Sequence, residues 1–431
     1  MSLASDTPRG EPARRQPFRR FFGSLGPGLI TGAADDDPSG ISTYSVAGAS
    51  FGYATLWTAL FSFPLMAAIQ LMCARLGLVT GLGLAGVIRR RYPLWVTWFA
   101  CALLGIANTI NIAADLDGMA ETTALVTHVR TAVWVPVYAG VIVAALIWTS
   151  YRTIARIFKW LTLVLGAYVI TAFLTAIDWR TALHATFVPQ IGWTRDYFGV
   201  LVAIFGTTIS PYLFFWQAAQ EVEEERAMGR SHLSQRRGAT SDELRDCRTD
   251  VMTGMFASNL IMYFIILTTG ATLHASGGTN ITSAREAAEA LRPLAGDAAY
   301  WLFTLGIIGT GMLAVPVLAG SCAYAIAEAA AWRQRSLSAR PRRARKFYAV
   351  MAAAMAMGWA LTYVGFNAIR LLFVTAIING VLAPPLVLII VLLTSDRTVM
   401  GDSVNPRVLT WLGWATFGTM ITAALGLLFG R

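Results

Sequence analysis

Residues 28–45 read GLITGAADDDPSGISTYS, with three consecutive aspartates inside an otherwise apolar stretch. Pro38 and Gly40, two residues that interrupt helices, follow the aspartates at once. Because an ionised carboxylate in the middle of a bilayer costs several kcal/mol, three of them require water, protons or a cation nearby. We interpret the stretch as a membrane-spanning helix that breaks at mid-membrane, where it meets a cation.

The composition agrees with a chain that lies mostly in lipid. Of the 431 residues, 56% are hydrophobic and only 13% are charged, which is typical of an all-α integral membrane protein. A spanning helix needs about 20 mostly apolar residues. Eleven segments meet this requirement, at 26–47, 51–74, 95–124, 132–150, 157–177, 198–219, 251–274, 298–331, 347–365, 369–394 and 408–429.

A second broken segment lies five segments after the first. It reads GTTISPYL at 206–213 and again has a proline in mid-membrane. Since five is odd, the two broken helices enter the membrane in opposite senses. Paired interrupted helices in matching positions indicate an inverted-repeat transporter with its site at the midplane. Segments one to five and six to ten are the predicted repeats, and segment eleven is an extra helix.

The lysines and arginines set the expected orientation. Most of the 34 fall on one side if the N-terminus is cytoplasmic, which predicts a multi-pass protein of the inner (plasma) membrane with an external C-terminus. The polar stretch around 220–250 is then a cytoplasmic loop. The predicted organisation is a basic tail (1–25), a first repeat (26–177), an external loop (178–197), a second repeat (198–394), and a cytoplasmic loop with the last helix (395–431).

Asp37, directly before the break, is the first candidate for an ion ligand. Unwound backbone there also frees carbonyl oxygens that bind cations. Because neighbouring residues of a helix point in different directions, Asp35 and Asp36 are expected to face the access pathway or a polar neighbour. In the third segment, Asn108 and Asp115 are two turns apart and share a face, which suggests a polar pathway or hydrogen bonds between helices. Asn379 in the tenth segment is a weaker candidate of the same kind.

Several function classes lack support in the sequence. None of the four histidines falls in mid-membrane, and no ATP-binding or zinc-protease motif occurs. We therefore expect no cofactor, no enzymatic activity and no nucleic-acid partner, but a lipid bilayer and a divalent cation. The sequence leaves the oligomeric state open. Alternatives are an intramembrane hydrolase that uses Asp37 and Asp115 as an acid–base pair, or a metal-sensing receptor or channel.

Six motifs in order resemble the NRAMP family of divalent-metal transporters. The motifs are GPGLITGAADDDPSG, ARLGLVTG, AADLDGM, FGTTISP, GMLAVPVLAGSCAYAIAEA and INGVLAPP. The resemblance runs from Gly26 to the last segment. It implies a LeuT-like fold of eleven helices and metal uptake.

The same resemblance implies a metal site at Asp37, Gly40, Thr207 and Ser210. Asp37 matches the family's aspartate, and Thr207 would contribute its backbone carbonyl. Gly40 replaces an asparagine ligand and Ser210 replaces a methionine, so that an amide and a thioether are lost. Further departures are Ala376 for a glutamine, Tyr212 and Trp216 for histidines, and Asn108 for a glutamate, while Asp115 is kept. The lost histidines and glutamate put proton coupling in doubt.

These departures predict a preference for hard ions. Thioether ligands favour softer transition metals, whereas carboxylate, carbonyl, hydroxyl and water suit Mg²⁺ and Mn²⁺. Mg²⁺ keeps several waters and needs a roomy site, and the small residues Gly40, Ser210 and Ala376 are expected to supply that room. The first hypothesis is import of partly hydrated Mg²⁺, and of Mn²⁺, by alternating access, as in the NRAMP-related magnesium transporters. The alternative is a proton-coupled Mn²⁺/Fe²⁺ transporter with altered ligands.

Overall fold

The structure is a computed structural model of the protein and describes residues 26–149, 153, 163–281, 283–332, 336–337, 341–365 and 367–430. The basic tail (1–25), the first part of the fifth predicted segment and Arg431 lie outside these residues. The described helices are α1 (Pro27–Asp35), α2 (Pro38–Phe51), α3 (Trp57–Thr80), α4 (Leu84–Arg91), α5 (Leu94–Thr127), α6 (Thr131–Trp148), α7 (Gly166–Leu174), α8 (Trp179–Phe187), α9 (Arg195–Thr208), α10 (Pro211–Ala227), α11 (Ser241–Thr269), α12 (Ala284–Glu289), α13 (Arg292–Ala295), α14 (Ala299–Ala329), α15 (Arg345–Thr362), α16 (Ala368–Ser395), α17 (Arg397–Met400) and α18 (Arg407–Phe429).

The all-α membrane architecture is confirmed. Within the described part of the chain, eight helices or helix pairs are long and apolar enough to cross a membrane. Together α9 and α10 form the most enclosed of these, buried throughout their most apolar stretch, whereas α6 and α18 are largely exposed at the periphery. The count of eleven spanning helices stays a prediction, because α1, α2, α7 and α15 are not among the eight.

Glycines set the position of both broken helices. On the first, Gly28 and Gly32 of α1 lie against the backbone of Gly254 and its neighbours in α11, with no room for a Cβ. On the second, Gly206 of α9 lies equally close to the backbone of Gly380 in α16. The first half of each broken helix therefore packs backbone to backbone on a long unbroken helix.

A carboxylate from α11 caps the start of α1. Asp250 accepts hydrogen bonds from the backbone N–H groups of Gly26 (2.8 Å), Gly28 (2.6 Å) and Leu29 (3.1 Å). The first turn of a helix has N–H groups without partners inside the helix, and Gly26 has no side chain to cap them. Asp250 supplies the missing acceptor from another helix and so ties α1 to α11.

Two connecting segments differ from the sequence expectation. The polar stretch around 220–250 is mostly helical, because α10 continues to Ala227 and α11 starts at Ser241, so the loop covers only 228–240. Charged residues extend these helices beyond their apolar parts. The predicted external loop at 178–197 contains the short helix α8, which Asp178 caps through the N–H groups of Arg180 and Thr181.

Candidate functional site

The first break follows directly from its sequence. Helix α1 ends at Asp35, and Asp37 caps the start of α2 in an extended conformation. Its carboxylate oxygen Oδ1 accepts the backbone N–H of Gly40 at 2.7 Å. Aspartate is a preferred capping residue, and proline is favoured at the next position. Since Pro38 has no N–H, the carbonyl of Ala34 loses its usual helical donor.

The second break also has a proline at the start of its second helix, but the residue before it plays a different part. Ser210 precedes Pro211 at the start of α10, and the carbonyl of Thr207 is left without its usual donor. The Ser210 hydroxyl lies 2.6 Å from the Thr207 carbonyl oxygen and 2.8 Å from that of Gly206, and donates to this pair. The backbone oxygen predicted to bind the ion thus already has a donor in this conformation.

The two breaks meet in the interior. Tyr212, in the first turn of α10, donates its hydroxyl to the Ala34 carbonyl oxygen at 2.8 Å and lies 3.4 Å from the Asp37 carboxylate. A Cβ placed on Gly40 would lie only 3.1 Å from the Thr207 hydroxyl. The structure therefore brings Asp37, Gly40, Thr207 and Ser210 together. Gly40 does not provide the spare room expected from the sequence, because Thr207 and the Tyr44 ring pack against it.

The other two aspartates face a different helix. The Ser258 hydroxyl of α11 lies 2.6 Å from Asp35 Oδ2 and 3.1 Å from Asp36 Oδ1. All three side chains are buried. The expectation that Asp35 and Asp36 point to a polar neighbour agrees with this geometry, while their place on an access pathway stays a prediction.

Asn108 and Asp115 have different neighbours along α5. Asn108 donates to the Leu318 carbonyl and the Ser321 hydroxyl of α14, both at 2.8 Å. These are hydrogen bonds between helices, one of the two roles suggested by the sequence. Asp115 lies within electrostatic range of Asp37 and beside the Ser39 backbone amide. Both of its carboxylate oxygens are buried without a hydrogen-bond partner in the described structure. Different helices meet α5 at the two levels, and a polar pathway shared by the two residues stays a prediction.

Further polar groups around the breaks also lack partners. Among the residues described, the side-chain oxygens of Asn111, Asn379 and Tyr44 are buried without a hydrogen bond. Buried polar groups normally have partners, so this interior is suited to water or an ion that supplies them. Tyr44 and Ser258 were not among the residues expected from the sequence. Tyr44 lies one turn after Gly40, which was the available signal, whereas a single serine in an apolar helix gives none.

The atoms near Asp37 that could bind an ion are carbonyl and hydroxyl oxygens. In the part of the chain that the structure describes, no three histidine, cysteine, aspartate or glutamate side chains form a group able to hold a metal. An ion bound here would rely on Asp37 together with carbonyl, hydroxyl and water oxygens. Such a set suits hard divalent ions.

Known proteins resemble this chain in sequence over nearly its whole length. The family described as "Nramp: Natural resistance-associated macrophage protein-like" matches residues 28–430. The chain is 26% identical to "Divalent metal cation transporter MntH 1" of Pseudomonas aeruginosa, over 97% of this chain and 94% of that protein.

Solved structures show the same fold. A manganese transporter from Eremococcus coleocola superimposes with a TM-score of 0.75 at 18% identity, over 96% of this chain and 88% of that one. Mhp1, a nucleobase-cation-symport-1 family transporter, matches with a TM-score of 0.57 at 12% identity, over 94% and 90% of the two chains. The relatives over nearly the whole chain are transporters, so the expectation of a transporter and not an enzyme is confirmed. The family match covers almost every residue from the first helix to the last, and the chain belongs to the Nramp family.

Proposed function

We propose that this protein carries divalent metal ions across the inner membrane by alternating access, with Mn²⁺ as its main substrate. The observation that carries the proposal is the contact between the two helix breaks, where Asp37, Thr207 and Ser210 converge beside Tyr212. The names of the relatives support the substrate class, since they are a divalent metal cation transporter and a manganese transporter.

Mn²⁺ as the main substrate differs from the hypothesis drawn first from the sequence, which was import of partly hydrated Mg²⁺. A preference for Mg²⁺ finds no support in the relatives, and the alternative of an Mn²⁺/Fe²⁺ transporter fits them better. The oxygen ligands near Asp37 still have a consequence. Without a thioether the site has little basis for rejecting Mg²⁺. We therefore propose Mn²⁺ transport with weak discrimination against Mg²⁺.

Each residue near the breaks has a proposed role. Asp37 binds the ion directly and provides the negative charge. The Thr207 carbonyl is a second ligand, and Ser210 is placed to give its hydroxyl oxygen to the ion when it releases that carbonyl. Asp115 is close enough to Asp37 to take part in any proton movement that accompanies the metal. The N-terminus is cytoplasmic in this proposal, and metal moves inward.

Uptake of Mn²⁺ into proteoliposomes tests the proposal. Asp37→Ala should reduce uptake to the level of empty vesicles, because the charged ligand is lost. Asp196→Asn, an exposed carboxylate in the first turn of α9, is the matched control and should transport normally. Full uptake by Asp37→Ala would exclude the proposed site.

Competition and pH measurements refine the proposal. Excess Mg²⁺ should inhibit Mn²⁺ uptake in the native protein, and an Mg²⁺-insensitive uptake would contradict weak discrimination. A pH-sensitive dye inside the vesicles should report acidification with Mn²⁺ uptake if protons accompany the metal. Loss of that signal in Asp115→Asn with Mn²⁺ uptake retained would assign the proton to Asp115.

A further inference from the structure

A cavity of about 760 Å³ opens where α3, α4 and α16 end, well away from the helix breaks. Four arginines contribute to its walls: Arg90, Arg91, Arg237 and Arg397. They come from three separate parts of the chain, namely α4, the 228–240 loop and α17. Asp402 is the one acidic side chain among the described lining residues. The lining therefore carries an excess of positive charge.

An ion pair fixes one wall of this cavity. Arg91 Nε donates to Asp396 Oδ2 at 2.6 Å, and Asp396 Oδ1 accepts the backbone N–H of Thr398 at 2.8 Å. The hydrogen bond from Arg91 lowers the pKa of Asp396 to about 2, so this pair remains charged at every practical pH. It holds the ends of α4 and α17 together and sets the place of Arg91 in the wall.

The loop that carries Arg237 is also anchored. The backbone N–H of Gly238 donates to the Val79 carbonyl oxygen of α3 at 2.9 Å. The neighbouring Arg236 is buried and donates to the carbonyl oxygens of Arg230 and Ser231, at 2.9 and 2.8 Å. These bonds hold the backbone of the loop in place, so Arg237 is presented to the cavity from a fixed position.

From this convergence we propose that the cavity binds a phosphate-bearing anion, either the headgroup of an anionic phospholipid or a soluble polyphosphate. The planar guanidinium group matches phosphate oxygens through paired, charge-assisted hydrogen bonds. The volume lies in the usual range for a small-molecule site. A general excess of positive charge on one side of the membrane accounts for the number of arginines, but not for their convergence on one cavity.

The test measures binding to the purified full-length protein in detergent, without transport. One arm titrates inorganic tripolyphosphate by calorimetry, and the other compares retention of phosphatidylglycerol with that of phosphatidylcholine by native mass spectrometry. The test variant is Arg237→Gln/Arg397→Gln. The control is Arg89→Gln/Arg407→Gln, which removes two exposed arginines that do not line the cavity. Gel filtration and thermal unfolding establish that both variants are folded.

We expect one probe to bind the native protein with a stoichiometry of one. Binding should weaken at least about tenfold in the test variant, because two charge-assisted contacts are lost, and should be unchanged in the control. Tripolyphosphate binding with this pattern identifies a soluble ligand, and selective retention of phosphatidylglycerol identifies a lipid. Absence of binding by both probes, or equal losses in the two variants, overturns the inference. Because transport is not measured, the result is independent of the proposed function.

Discussion

Removing the Asp250 carboxylate should release α1 from α11. The carboxylate accepts three backbone N–H groups at the start of α1. A hydrogen bond to a charged group contributes about 1.5–3 kcal/mol, but three bonds to one carboxylate are not additive. Allowing for water that reaches the part-buried amides of Gly26 and Leu29, we expect Asp250→Ala to cost about 3 kcal/mol, at the lower end of the range for breaking a buried charged contact.

A change of this size has a local signature. Since 1.4 kcal/mol is a factor of ten in an equilibrium constant, about 3 kcal/mol raises the undocked fraction of α1 roughly a hundredfold. Hydrogen exchange followed by mass spectrometry should show the amides at the start of α1 exchanging up to about a hundredfold faster in Asp250→Ala. Asp250→Asn keeps one acceptor oxygen and should give an intermediate rate.

Asp246→Ala is the matched control, because it removes a carboxylate one turn earlier on the same helix. It should leave exchange in α1 unchanged. If Asp250→Ala also leaves the exchange of the Gly28 and Leu29 amides unchanged while the protein remains folded, the glycine contacts alone hold α1 and the reasoning about its cap is refuted.

Two further predictions concern the helix breaks. Tyr212→Phe leaves the buried Ala34 carbonyl without its donor, which should cost about 1–3 kcal/mol and lower both the thermal unfolding temperature and the rate of Mn²⁺ uptake; native uptake would show that this bond is not needed for transport. Ser210→Met introduces a thioether and frees the Thr207 carbonyl, so inhibition of Mn²⁺ uptake by Mg²⁺ should weaken by about tenfold. Unchanged competition in Ser210→Met would show that residue 210 does not contact the ion.

The sequence alone located both helix breaks because their cause is local. Proline at 38 and 211 removes a donor wherever the chain places it, and the aspartate before Pro38 caps the next helix with its side chain. Their convergence was also predictable, because the sixth segment lies an odd number of segments, five, after the first and so crosses the membrane in the opposite sense. What each break does with its freed carbonyl was not predictable, because the donors Tyr212 and Ser210 are defined only by the folded geometry.

The polar residues of α5 show the limit of reasoning from one helix. Asn108 and Asp115 do share a face, as their spacing requires. Which helix crosses that face at each level depends on tertiary packing, and α14 meets Asn108 while the first turn of α2 meets Asp115. In the same way hydropathy marks where the apolar part of α10 ends, but not where the helix itself ends.

The hydroxyl groups bound to the two freed carbonyls bear on the return step of a transport cycle. A carrier has to reorient after it has released its cargo, and carbonyl groups left without a partner in the buried interior would resist that step. Here the Ala34 and Thr207 oxygens accept hydrogen bonds from the hydroxyls of Tyr212 and Ser210, respectively. At the proposed site, we expect these donors to take the place of part of the ion's coordination shell once the ion has left, which lowers the barrier to resetting and favours repeated turnover over a single delivery.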